Sequence, residues 1–374
     1  YIGADGKPLT PLYNYLKPYP EELAAKFYGT YGGEETVSVK TASPVLGSLN
    51  SGMQLYRLKY NQPDVFAKVT AALHLPQYLS YLLTGEAYSD LTSIGCHTGL
   101  WDFETNDYHQ WVAQEGISEK LPPVAAANTV KPALFPGSTF EVGIGLHDSS
   151  AALIPYMVNF NEPFILISTG TWCISLNPFN QSPLTAQQLT DDCLCYLGFQ
   201  GKPVKASRLF AGYEHETQVK RITDHFGENV QRYRTMDFDA EVINRLQKRP
   251  SIYPTEFKKT SVFAERALND FADDTEAYHQ LILDLVQLQV ISTKFILEDS
   301  AAKRIFVDGG FSKNAIFMNL LAAAFPDIEV FAASMAQASA VGAALAIHNK
   351  WNTKPVPKDI IQLKYYSAVQ TISI

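Results

Sequence analysis

The chain has 374 residues, 46% hydrophobic and 18% charged, with a net charge of -8. That length exceeds one ordinary core and predicts two domains of a globular protein. The acidic balance and the lack of any basic block argue against a nucleic-acid partner. No apolar run approaches the roughly eighteen residues of a membrane span, so no membrane partner is expected either. Four cysteines occur, Cys96, Cys173, Cys193 and Cys195, with no second pair at zinc-ligand spacing. In a chain this long they read as free thiols of a reducing, cytoplasmic compartment.

Taken in order, YIGADGKPLTPLYNY reads as a strand end, an Asp-Gly turn and a second strand. The chain opens at Tyr1 without Met, and a domain that starts inside a hairpin is expected to have lost an upstream piece. Residues 21–30 suit a short helix. From Ser51, the residues Met53, Leu55, Tyr56 and Leu58 form an apolar helical face, and Pro63 starts a new element. Pro76 suits a first helical turn, Leu79, Leu82 and Leu83 share a face, and Gly85 ends that helix. A further helix is expected from about Asp107. KPALFPGSTFEVGIGLHDSSAALIPY predicts a strand and then a helix, and NEPFILISTGTWCISLNP predicts a hairpin. Residues 181–260 are mixed, with charged stretches.

The run from Glu276 to Asp299 predicts an amphipathic helix, with Leu281, Leu285, Leu288, Ile291 and Phe295 at spacings of three and four. RIFVDGG is a buried strand, SKNAIFMNLLAAAF a helix, IEVFAAS a strand and MAQASAVGAALAIH a small-residue helix. Alternating strand and helix make the second half an α/β domain. The expected division is 1–155 and 156–374.

Three motifs carry chemistry. In GLHDSSAALIP, from Gly145 to Pro155, a strand end delivers His147 and Asp148 to a helix start. Ligands of α/β domains bind beyond strand ends, so a carboxylate there can face a cleft. Equally, Asp148 or Ser149 can serve simply as a helix N-cap. In LISTGTWCISL, from Leu166 to Leu176, Gly170 sits between Thr169 and Thr171 in a turn whose N–H groups can form an anion nest. An ordinary hairpin explains the same residues. In RIFVDGGFSKNAIFMNLLA, from Arg304 to Ala322, a strand ends in Asp308, Gly309 and Gly310 before a helix. Glycines there let a ligand approach the backbone, and a helix N-terminus favours phosphate. A tight strand-to-helix turn is the alternative. The Walker A pattern GxxxxGK[ST] is absent. The small-residue runs SSAA and MAQASAVGAALAIH read as close helix packing.

The order of these motifs, HD, then TGT, then DGG followed by Asn314, resembles the FGGY carbohydrate kinases, most of all the L-rhamnulose kinases. LHLPQYLSYLLTGEAYSD is similar to that family's P-D-Y-L-x-Y-x-L-T-G stretch, with Gln77 where the pattern has Asp. The resemblance implies an actin-like, hexokinase-like (ribonuclease H-like) two-domain ATPase fold of α/β class, its first domain incomplete. It implies a sugar substrate, ATP and magnesium, with a ketose such as L-rhamnulose or L-fuculose as acceptor. Asp148 would be the proton acceptor, with His147 and Ser149 beside the sugar. Gly170 and Thr171 would contact the ATP phosphates, Gly309 and Gly310 would pack against the nucleotide, and Asn314 would sit near the adenine. No metal-ligating residue is assigned, and a homodimer is left open.

Three departures stand against the pattern. The family's opening strand and phosphate hairpin are not in the chain. ASRLFAGYEHE, from Ala206 to Glu216, does not keep the rhamnulose-kinase run KNIMGLW. The Tyr-Arg-Asp run of many relatives is missing, and LYNYLKPYP, from Leu12 to Pro20, has no Arg or Asp. A non-catalytic sensor of sugar or nucleotide on the same fold, and a plain ATPase, are the alternative functions.

Overall fold

The computed structural model describes residues 1–248, 261–298 and 300–367. Asp299, the expected end of the long helix, lies outside the described residues, as do residues 249–260 of the mixed stretch.

The first part is mostly helical. Gly6, with φ 76°, turns the chain so that Ile2 bridges both Pro8 and Ala71, a hairpin reduced to isolated bridges. The helix Glu21–Tyr31 is followed by a second, Glu34–Thr41, which the sequence pattern did not mark. The helix Ser51–Asn61 buries Met53, Leu55, Tyr56 and Leu58, as their spacing requires, and Pro63 opens the helix Pro63–Lys68. These elements close around Phe27, Tyr56 and Trp111, whose rings meet edge to face.

One expectation fails here for a physical reason, and one helix turns its leucine face outward. Asp107 and Tyr108 pair with Trp101–Asp102 as a short strand, so the next helix starts only at Gln110. In Leu75–Thr84 the buried side chains are Gln77, Ser80 and Thr84, while Leu79 and Leu82 are 52% and 55% exposed. The polar face turns inward because it has partners there: Gln77 Nε2 donates to Gly145 O at 2.9 Å and Ser80 Oγ to Gly143 O at 2.8 Å. These bonds hold the loop that leads to His147 and Asp148.

The second part is built on a seven-stranded mixed sheet. Its order is Gln362–Tyr366, Glu329–Ser334, Arg304–Gly309, Phe164–Thr169, Cys173–Asn177, Pro203–Leu209 and Cys193–Leu197. The Arg304 strand runs parallel to both the Phe164 and the Glu329 strands, and the remaining pairs are antiparallel. One face packs on the helix Asp148–Asn159 through Leu153, Tyr156, Phe164 and Phe306. The other face packs on the helices Ala211–Phe226, Asp274–Leu297 and Ala315–Ala324. Residue 155 falls inside the Asp148 helix.

The Asp274 helix is not amphipathic. It is buried nearly all round, with polar Ser292, Thr293 and Gln289 bonded inward against the sheet. Against expectation it is long and apolar enough to cross a membrane, but its burial between sheet and helices marks it as a core helix. The small-residue prediction holds: a Cβ on Gly342 would lie 1.8 Å from Ala151 O, so the helix Ala338–Ala346 touches the backbone of the Asp148 helix. All four cysteines are free and buried.

Candidate active site

Asp148 is the first residue of its helix, and its side chain is 81% exposed. It does not turn into the core. Its Oδ1 accepts from Ser149 N at 2.6 Å and Ser149 Oγ at 3.3 Å, so Ser149 holds the carboxylate from its own first turn. Ser339 Oγ donates to Asp148 O at 3.2 Å. His147 is anchored by its backbone N–H, which donates to Thr92 Oγ1 at 2.8 Å. Its Nε2 lies 3.1 Å from Cys96 Sγ and 3.5 Å from Asp148 Oδ1, and its Nδ1 is buried without a partner. Burial lowers the His147 pKa and the Asp148 carboxylate opposes that shift, which favours an uncharged ring near neutral pH. A solvent-facing carboxylate at a helix start suits a proton acceptor.

A second site opens on the opposite face of the sheet. It is a cavity of about 720 Å³ lined by Gly170, Thr171, His215, Tyr278, Gly310 and Asn314. Gly170 N donates to Trp172 O at 2.8 Å, which closes the turn. Behind the turn, Gly212 starts the Ala211 helix so tightly that a Cβ would lie 1.9 Å from Gly170 O. The Asp308-Gly309-Gly310 turn is stitched to the Phe164 strand. Thr169 Oγ1 donates to Asp308 O at 2.6 Å and accepts from Phe311 N at 3.0 Å, while Gly310 N donates to Thr169 O at 2.9 Å. Gly309, with φ 95°, stands behind the cavity wall and Gly310 on it.

Asn314 caps the Ala315 helix, its side chain accepting from Phe317 N at 2.9 Å. Its Nδ2 donates to Tyr278 OH at 2.8 Å, and that hydroxyl lies 3.0 Å from His215 Nε2. Burial pulls His215 down to about 4, so its ring is neutral at pH 7. His215 and Tyr278 were missed in the sequence because their partnership spans two helices far apart in the chain. Tyr156 OH donates to Asp308 Oδ2 at 2.9 Å and ties the Asp148 helix to the glycine turn.

Among the described residues no three His, Cys, Asp or Glu side chains gather as metal ligands. Magnesium generally keeps several waters and binds through substrate phosphates with one or two carboxylates.

Residues 161–355 match the family model of the FGGY carbohydrate kinase C-terminal domain. The chain belongs to that family. It is 28% identical over 156 residues to a rhamnulokinase of Oceanobacillus iheyensis, a match that covers 38% of this chain and 31% of the relative. A rhamnulokinase of Halalkalibacterium halodurans is 26% identical over 201 residues, 50% of this chain and 40% of that protein. The matched segments thus span well under half of these curated relatives. The fold is similar to that of a carbohydrate kinase from Novosphingobium aromaticivorans, with a TM-score of 0.78 and 26% identity over 98% of this chain and 78% of that one. A xylulose kinase from Lactobacillus acidophilus has a TM-score of 0.75 at 15% identity, over 99% and 78%, which supports the fold alone. The architecture is the actin-like, ribonuclease H-like ATPase fold that the motif order implied.

Proposed function

We propose that this chain transfers the γ-phosphoryl group of ATP to a hydroxyl of a ketose, with Asp148 as general base. The acceptor is L-rhamnulose- or L-fuculose-like, by the similarity to rhamnulokinases. The observation that carries this reading is the pairing of a solvent-facing Asp148 with a glycine-walled cavity joined to the same sheet. Residues 1–155 would form most of the sugar side and 156–374 the nucleotide side.

ATP would enter the cavity with its phosphates at Gly170 and Thr171 and its adenine near Asn314, against Gly310. Magnesium, when bound, spreads the phosphate charge. His147 and Ser149 would orient the sugar so that its reacting hydroxyl meets Asp148. As the Pγ–O bond to ADP breaks and the bond to the sugar oxygen forms, the hydroxyl proton passes to Asp148. The transition state is loose and anionic, so positioning and charge stabilisation supply most of the rate. Exclusion of water from the cleft protects the phosphoryl group from hydrolysis.

Coupled ADP release over a panel of ketoses and polyols tests this. Release that requires a ketose supports the kinase. Release without sugar, or none with any sugar, overturns it in favour of an ATPase or a sensor.

A further inference from the structure

The mechanism above leaves Arg208 unused. Val204 and Ala206 of its strand point into the cluster shared with Leu153 and Tyr156 of the Asp148 helix. Side chains alternate along a strand, so Arg208 lies on that same face of the sheet. Asp192 stands beside it. Arg208 N donates to Asp192 O at 3.1 Å, and Arg208 Nη2 reaches Asp192 Oδ1 at 2.7 Å. Both side chains are largely buried, 13% and 7% exposed. The guanidinium carbon lies 5.4 Å from the ring centroid of Trp172, the residue that follows Thr171. One donor is left over: Arg208 Nε is buried with no hydrogen-bond partner. A guanidinium cannot shed its proton, so a buried N–H left unpaired on it is costly until something accepts from it.

The surroundings say what that acceptor is. On one side, Trp172 belongs to the turn whose Gly170 and Thr171 line the nucleotide cavity. On the other side lie Cys96, His97 and Tyr196. All three are shifted chiefly by burial, and in each the Asp148 carboxylate and the Arg208 guanidinium push in opposite directions. Arg208 thus shares a sheet face with the Asp148 helix, and Trp172 of the TGT turn stands against its guanidinium. The group that must pass from that turn to Asp148 is the phosphoryl group, the most negative part of either substrate. A planar, permanently charged fork suits phosphoryl oxygens better than a neutral hydroxyl.

We propose that Arg208 is a catalytic residue that donates from Nε to an oxygen of the transferring γ-phosphoryl group, with Asp192 fixing the other end of the guanidinium. This rests on the kinase reading for the transfer step, and on nucleotide binding alone for the contact. Arg208 stabilises the charge that develops while the phosphoryl group is between ADP and the sugar oxygen.

The test compares the wild-type protein with Arg208→Ala and Arg208→Lys. Calorimetry with ADP and with the β,γ-imido analogue of ATP reads the contact without turnover. Arg208→Ala is expected to bind ADP within about threefold of wild type and the imido analogue about tenfold more weakly. In sugar-dependent ADP release, kcat should fall about 100-fold with the sugar KM little changed. Added guanidinium should restore part of the rate in Arg208→Ala, and Arg208→Lys should lie between the two. Unchanged discrimination between the two nucleotides together with a wild-type kcat overturns the proposal. An equal loss of both nucleotides, with a lowered unfolding midpoint and no rescue, assigns Arg208 to structure and overturns it too. If wild type binds both nucleotides but releases no ADP with any sugar, the kinase reading fails while the calorimetric comparison still decides the γ-phosphoryl contact.

Discussion

Replacing Gly309 by alanine separates two roles played by the glycines of the site. Gly309 has φ +95°, in the left-handed region, and an added Cβ would come to 1.9 Å from Thr169 O. That oxygen cannot retreat freely, because it accepts from Gly310 N at 2.9 Å and its strand is paired in register with Arg304–Gly309. The left-handed backbone costs an L side chain about 1–2 kcal/mol. Overpacking adds about 1–3 kcal/mol. The sum, roughly 2–5 kcal/mol, is a large share of the ~5–15 kcal/mol that holds a typical domain. Gly170→Ala is the matched control, since nothing lies within 4 Å of its added Cβ and its φ is outside the left-handed region. It should change stability by no more than about 0.5 kcal/mol. Because Gly170 lines the cavity, its methyl group should instead weaken ATP binding. Urea unfolding followed by circular dichroism reads the first effect, and calorimetric titration with nucleotide reads the second. A Gly309→Ala protein as stable as wild type, or a Gly170→Ala protein destabilised as much as Gly309→Ala, refutes the reasoning.

Thr171→Val keeps the shape of the turn and removes a hydroxyl donor from the cavity wall; the KM for ATP should rise about three- to tenfold with kcat nearly kept, and an unchanged ATP dependence removes this side chain from phosphate binding. His74, His97 and His215 are each lowered to about 4, chiefly by burial, with His147 opposing the charge on the first two. The unfolded chain takes up protons near pH 6.5 that the folded chain refuses until about pH 4, so stability is fully present above pH 6.5 and falls as pH drops through that window. A denaturation midpoint that stays flat from pH 6.5 to 4 contradicts this, and His215→Gln should make the fall shallower.

The sequence made the second half legible where strands end in glycine. LISTGTWCISL and RIFVDGG announce their turns because Gly170, Gly309 and Gly310 stand where apolar runs stop, and the strands form as read. Position 148 was equally readable, since a carboxylate between a Gly-rich loop and a small-residue helix can only be an end. The Leu75–Thr84 helix was not readable in the same way. Its leucines share a face as their spacing requires, but which side turns inward is set by carbonyls at Gly143 and Gly145, whose arrival there no local pattern records. Asp107 and Tyr108 misled for a similar reason, because their pairing with Trp101–Asp102 outweighs a helix start. Arg208 was not singled out in the sequence. Its meaning depends on Asp192 across the sheet and on Trp172 over the turn, contacts that exist only once the strands are paired.

The central claim is that the carboxyl oxygen of residue 148 takes the proton of the acceptor hydroxyl. Single-turnover transfer from radiolabelled ATP to the ketose that gives the fastest ADP release, in wild type and Asp148→Asn, measures this step without product release. The account predicts a loss of about 10²–10⁴-fold in the transfer rate, with the ketose still bound at near wild-type affinity. An Asp148→Asn protein that transfers phosphate at close to the wild-type rate would contradict it.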